Sequence, residues 1–397
     1  MTSMQTPATG ASATGASATG IPGSTAVPGS TAVPGFIDSH AHLLKDSARV
    51  PFPWPESAVS EFHRRVAGAG TTPMDVPEPP APGPPDEMAA RLLAGLARAA
   101  STGLVEITEM GTRDWWYAGA LARLQRAGPL PVRVRIYLAS GLAGQASLAE
   151  LGARRSDAGG WISLDGVKFY ADGWLGPRTC AMCRNFADGS DDGILFLTAE
   201  ALARRIEPLA AQGWRIATHA IGDRGIETVL DGYQLAWGDD NAAIAAAAPR
   251  IEHASVQSAG LISRIAESGV VTCLQPSFAV TDVQHVRSAL GPDRARMAYP
   301  WAALAAAGAR LLAGTDYPIE ALEPLAGLAR LVNGRSDRDG FDAGGTAPEH
   351  SRLAPATAFG VMSDEAAGRT LLSADPRSIP VAEIDQIEVH GTAPVPF

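Results

Sequence analysis

From Gly35 onward, short apolar runs alternate with stretches in which apolar positions recur every three or four residues. The short runs cover residues 36–42, 104–108, 132–138, 164–170, 215–219, 250–253, 270–274 and 310–316, which makes eight predicted strands. Helical spacing lies between them, over 86–100 with Asp86 as a cap, 199–212, 226–237 opened by Asp223, 259–268 and 301–307. Strands alternating with helices imply a parallel sheet with right-handed crossovers. Eight such units predict an α/β fold closed as a (β/α)8 TIM barrel, in which reactive groups sit at the C-terminal ends of the strands.

The pattern lapses in four places. Residues 1–33 are repeats of Ala, Ser, Thr, Gly and Pro, too poor in apolar area to offset chain entropy, and are expected to be disordered. The proline-dense stretch 73–85 reads as a semi-rigid loop over the barrel mouth, and 333–347 as a surface loop. The tail carries strand-like pieces at 370–373 and 384–390. The expected organisation is therefore a low-complexity segment (1–33), a barrel (34–350) and a tail with a partial β-subdomain (351–397).

Composition narrows the partners. The 397 residues are 46% hydrophobic with a net charge of −10 and no basic tract, which argues against nucleic acid and anionic membranes and for a small-molecule substrate. Three cysteines, Cys180, Cys183 and Cys273, are too few for a secreted disulfide framework. With no apolar leader and no run approaching the ~20 residues of a membrane span, a cytoplasmic protein is expected, with homo-oligomerisation open.

Candidate chemistry gathers at the strand ends. In Phe36-Ile37-Asp38-Ser39-His40-Ala41-His42, a period of two places Asp38, His40 and His42 on one face, and two imidazoles there can grip a metal ion. Lys168, His219, His253 and Asp316 each close a later run. Among 32 basic residues only Lys45 and Lys168 are lysines, so a lysine inside the apolar run 164–170 calls for a reason. A buried lysine deprotonates readily, and its neutral amine can add carbon dioxide to become a bridging carbamate. The alternative is a lysine snorkelling past the strand end to solvent.

One scheme places a metal on His40, His42 and Asp316 and a second on His219 and His253, bridged by carboxylated Lys168 and hydroxide. Zinc suits these ligands, and manganese, iron or cobalt also fit. Bound water falls in pKa from about 15.7 to about 7, and Asp316 takes its proton and passes it to the leaving amine. A one-metal scheme uses His40, His42, His219 and Asp316, with His253 polarising the carbonyl and Lys168 left as an amine.

These motifs resemble the amidohydrolase superfamily, in particular the amidohydrolase family 3 branch that includes N-substituted formamide deformylases. The resemblance rests on Pro-Gly-Phe-Ile-Asp-Ser-His-Ala-His at 34–42, Val-Lys-Phe-Tyr-Ala-Asp-Gly-Trp-Leu-Gly-Pro-Arg-Thr at 167–179 and His-Ala-Ile-Gly-Asp-Arg at 219–224. It continues with Arg-Ile-Glu-His-Ala at 250–254, Gln275-Pro276 and Gly-Thr-Asp-Tyr-Pro at 314–318, in family order. It implies a distorted barrel with a divalent metal centre that hydrolyses carbon–nitrogen bonds other than peptide bonds. It also implies metal roles for His40, His42, Lys168, His219, His253 and Asp316, with Asp316 also catalytic. Family members carry a small β-sandwich built from segments on both sides of the barrel; here repeats replace its leading half, leaving a remnant.

Further candidates follow from position. Asp172, Arg178, Arg224, Gln275 and Tyr317 are substrate-binding candidates, with Tyr170 as a pocket wall. Asp172 and Arg178 serve equally well as a loop-bracing pair, and Asp223 as a simple helix cap. Glu106 and Glu109 fit a polar barrel layer or the site, Trp115, Trp116 and Tyr117 a helix-start core cluster, and Cys180 and Cys183 ordinary packing. His63, His285, His350 and His390 read as surface histidines. Two competing functions remain: a lactonase or phosphotriesterase on the same centre, and a non-catalytic barrel that binds without turnover.

Overall fold

The computed structural model describes residues 28–43, 55–77, 84–157, 159–338 and 345–397. Ten strands form one sheet, in which β10 (Val389–Pro394) and β9 (Ser363–Leu372) stand at one edge and eight strands numbered in chain order follow in sequence. β1 (Thr31–Ala41), β2 (Leu104–Thr112), β3 (Arg133–Ala139) and β4 (Ile162–Tyr170) are followed by β5 (Arg215–Ala220), β6 (Arg250–His253), β7 (Val271–Leu274) and β8 (Arg310–Ala313). Each of these pairs in parallel with the next. The ring closes just beyond β8, where the Asp316 N–H donates to the His40 carbonyl (2.7 Å) and the His42 N–H to the Tyr317 carbonyl (2.6 Å). The barrel is distorted because β6, β7 and β8 have four residues each, whereas β1 has eleven.

The extra length of β1 carries the antiparallel edge of the same sheet. Thr31–Phe36 pairs antiparallel with β9 (Ser363–Leu372), and β9 with β10 (Val389–Pro394). Two expectations are corrected here. Thr31, Ala32 and Val33, assigned to the disordered segment, lie in β1, where Val33 is fully buried and joins the core. Residues 28–30 of that segment form the turn that leads into β1, and residues 1–27 fall outside the described residues. In the tail, the strand expected at 384–390 is a 3-10 turn, Val381–Gln386, and β10 begins only at Val389. Burial of Ile384 and the Ser336 hydroxyl on Asp385 (2.5 Å) hold that turn against the barrel.

The long β1–β2 connection also holds more order than its prolines suggest. Helix Glu56–Gly68 buries Val59, His63 and Val66, one stripe at i, i+4 and i+7. A 3-10 turn, Pro73–Asp75, closes with a capping box between Thr72 and Asp75. Helix Pro85–Ser101 begins one residue before Asp86, so Asp86 sits in the first turn and is not the cap. Asp114, Thr198 and Ser258 cap the helices Trp115–Ala127, Ala199–Ala210 and Ala259–Ser268 through their side-chain oxygens. No described helix is long and apolar enough to cross a membrane.

Candidate metal and catalytic site

His40 is buried near the end of β1, His42 follows that strand, and Asp316 follows β8 across the seam. Asp38, third member of the alternating set, plays a different part. Its Oδ1 accepts from the backbone N–H groups of His40 and Thr315 (both 3.0 Å), and its Oδ2 from the Thr315 hydroxyl (2.6 Å). It latches β1 to β8, and burial pushes its carboxyl up to about 6. The strands approach so closely that a Cβ on Gly314 would lie 2.3 Å from the His40 nitrogen. Asp316 lies 3.0 Å from His42 Nε2 and 3.4 Å from His40 Nε2. Ligand atoms of His40, His253 and Asp316 lie within 4.8 Å of one another. Asp316 and His253 both hold left-handed backbone, at φ 57° and 75°, a strained state that non-glycine residues keep only where the surroundings enforce it.

The hydrogen-bond partners of three imidazoles decide where their lone pairs point. His40 Nδ1 meets Glu252 Oε2 at 2.6 Å, His253 Nδ1 meets Gln275 Oε1 at 2.8 Å, and His219 Nε2 meets the Gly173 carbonyl at 2.9 Å. Each of these oxygens can only accept, so the named ring nitrogen donates and the opposite nitrogen keeps its lone pair. Burial lowers all three histidines, His253 to about 3 and His219 well below its usual value, so they are neutral near pH 7. Burial alone would raise Asp316, but the surrounding His40, His42 and His253 hold it well below the usual carboxylate range.

The remaining donors are left open inward. The Lys168 Nζ and the His219 Nδ1 are buried and meet no hydrogen-bond partner among the described residues. Burial brings the Lys168 ammonium down to about 8. Neutral imidazoles with fixed lone pairs and an ionised carboxylate make a donor set that fits a divalent cation, with Lys168, drawn down toward neutral pH, beside them.

Glu252 is the residue that position along the strands did not single out. Its carboxylate lies between the His40 ring and Arg250, which donates from Nε (2.7 Å) and Nη2 (3.0 Å) and also reaches the Ser39 carbonyl (2.7 Å). The available signal was two charged residues at alternate positions of the short apolar strand Arg-Ile-Glu-His.

The substrate-binding candidates separate into two groups. Gln275 stays at the site through His253. Tyr170 stacks on His219 at 3.7 Å and 10°. Asp172 is fully buried and accepts from the backbone N–H groups of Ala181 (2.9 Å), Ile221 (3.0 Å) and Gly222 (2.8 Å), so it braces two loops and does not face substrate. Arg178 is held by Asp188, the Leu175 and Gly176 carbonyls and Ser288, and Arg224 by Asp192. The Tyr317 hydroxyl takes a hydrogen bond from Arg98. Glu106 pairs with Arg133 and Arg135 in the barrel's polar layer. One histidine expected at the surface is placed otherwise: His63 is buried with Nδ1 on the Thr179 hydroxyl (2.8 Å). His285 stays partly exposed and lines the site cavity. Cys180 is buried and Cys183 exposed, both as free thiols.

Above the donors opens a cavity of about 540 Å³, floored by His219, His253 and Asp316 and walled by Trp174, Phe278 and Ile319. Glu56 and His285 form an ion pair (3.2 Å) on its lining. A family model described as the amidohydrolase family matches residues 62–374. The chain belongs to the amidohydrolase family. YtcJ of Bacillus subtilis (strain 168), named as an amidohydrolase, is 28% identical over 252 residues, covering 59% of this chain and 47% of that protein. Protein LONG AFTER FAR-RED 3 of Arabidopsis thaliana is 29% identical over 177 residues, covering 43% of this chain and 30% of that protein. The matches thus span less than half of either relative. Among solved structures, an uncharacterised metal-dependent hydrolase from Pyrococcus furiosus shares the fold with a TM-score of 0.64 at 20% identity, covering 92% of this chain and 85% of that one.

Proposed function

We propose that this amidohydrolase is a metal-dependent hydrolase of a non-peptide carbon–nitrogen bond in a small amide or formamide-type substrate. The observation that carries the reading is the convergence of three buried imidazoles, each with one nitrogen committed to an acceptor, and ionised Asp316 beneath a single cavity. His40, His42 and Asp316 would hold one ion and His219 and His253 a second, and Lys168, as a carbamate formed by adding carbon dioxide and releasing a proton, would supply a further anionic oxygen ligand. A bound divalent ion would make water nucleophilic at neutral pH and polarise the scissile carbonyl.

The chain's own groups supply the proton path. Asp316, ionised and beside the cavity, accepts the proton of the attacking water and delivers it to the departing nitrogen. The His253 tautomer favours ligation over carbonyl polarisation, because its Nδ1–H goes to Gln275 and its Nε2 has no hydrogen to offer. Zinc is the expected ion on ligand chemistry.

Elemental mass spectrometry after expression with zinc and bicarbonate tests the centre, with about two ions per chain expected for the bridged form. Asp316→Asn is expected to remove amide turnover while the protein stays folded, and full activity would overturn the mechanism. Ester and phosphotriester substrates assayed beside the amides test the bond. Turnover of either without amide turnover would overturn the carbon–nitrogen assignment.

A further inference from the structure

A second cavity, of about 430 Å³, abuts the first. Its walls come from helix Glu56–Gly68, the Pro73–Pro77 turn that follows it and, far along the chain, the end of β4. Val59 and Trp174 line both cavities. Tyr170 lines the second and stacks on His219, which lines the first, so one aromatic ring separates the second cavity from a candidate metal ligand. The Trp174 indole N–H is anchored on the Tyr170 hydroxyl at 2.6 Å, which fixes the partition. Apart from His63, whose Nδ1 is engaged with Thr179, and Arg113, the lining is aliphatic, aromatic or proline. A strongly hydrated group would lose its water against such walls with few replacement partners, whereas an aromatic ring or branched chain gains contact.

We infer that this second cavity is the subsite for an aromatic or branched apolar arm of the substrate, beside the cavity where the bond is cleaved and sharing Trp174 and Val59 with it. The inference rests on the amide-hydrolase reading and deepens it. The compounds turned over are then amides with two unlike arms, one of them apolar and of at least phenyl size. Ala58, exposed on the helix and lining this cavity but not the first, is a position from which the subsite can be filled.

The test compares the N-phenethyl and N-methyl amides of one acid in the zinc-loaded enzyme, with calorimetric binding of the phenethyl amide as a readout independent of turnover. The wild type is expected to favour the phenethyl amide in kcat/KM by roughly tenfold or more. Ala58→Trp is expected to remove that preference and the binding heat while leaving the N-methyl amide unchanged. Phe62→Ala, which removes a wall without filling space, is expected to raise KM for the phenethyl amide alone. Equal turnover of both amides, unaltered by either variant, overturns the subsite and leaves the hydrolase reading intact. If neither amide is cleaved, the hydrolase reading fails. Binding lost in Ala58→Trp would still support the subsite, and no binding by the wild type would overturn it.

Discussion

Glu252 shows how one buried carboxylate sets the chemistry of its neighbours. Bonded to His40 Nδ1 and clamped by Arg250, it fixes the ring so that Nε2 faces Asp316. Replacing Glu252 by Gln keeps its size but removes the charge that holds the tautomer and balances the buried guanidinium. Metal affinity, measured by chelator competition, should fall about 10- to 100-fold, and an unchanged affinity would show that the carboxylate does not orient His40. His63 makes a second residue-scale prediction. Burial lowers it to about 4, against an ordinary value near 6.5, so the unfolded chain binds a proton that the folded chain excludes. Its neutral form is favoured above pH 6.5, and stability is lost as pH falls from 6.5 through 4. Urea denaturation should show the wild type losing about 2–3 kcal/mol more than His63→Gln between pH 7 and pH 4.5. Parallel losses in the two proteins would count against it. The metal-ligand candidates were readable one by one because each closes an apolar run. Glu252 and His63 were harder to read, since their significance lies in partners 212 and 116 residues away.

At the scale of elements, the eight barrel strands were legible because each is a compact apolar run flanked by turn residues. Helix Glu56–Gly68 was not, because its buried stripe is only Val59, His63 and Val66, with a polar ring in the middle position. The seam was also hidden. β8 ends at Ala313, yet the closing contacts come from Asp316 and Tyr317 beyond it, and their geometry depends on Gly314 lying flush against His40. Gly314→Ala therefore tests the seam directly. A methyl group there would force β8 away from β1, with an expected stability loss of about 1–3 kcal/mol. It would also move Asp316 relative to His42, so metal occupancy should fall together with the melting temperature. Loss of stability with full occupancy would mean that the ligand geometry does not depend on the seam.

For the whole molecule, the sequence pattern yielded a parallel barrel but gave little sign of how it is tied together. The antiparallel patch of β1, β9 and β10 recruits Thr31–Val33 from a repeat whose composition signals no structure, because pairing with β9 and burial of Val33 are tertiary effects. The proposed donors lie at or just beyond the ends of β1, β4, β5, β6 and β8, so a bound ion would cross-link strands around most of the ring. An ion that binds only the folded chain adds stability as RT ln(1 + [L]/Kd), about 4 kcal/mol at a thousandfold excess over Kd. Stripping the protein with chelator should lower its melting temperature by several degrees, and restoring zinc should recover it. The gain should vanish as the medium is acidified and protons compete for the imidazole nitrogens. Asp38→Asn, which weakens a latch that makes no proposed contact with the ion, should lower the melting temperature of metal-free and loaded protein alike. His219→Ala should narrow the difference between them. A metal-dependent shift that survives His219→Ala intact would place the stabilising ion somewhere other than these strand ends.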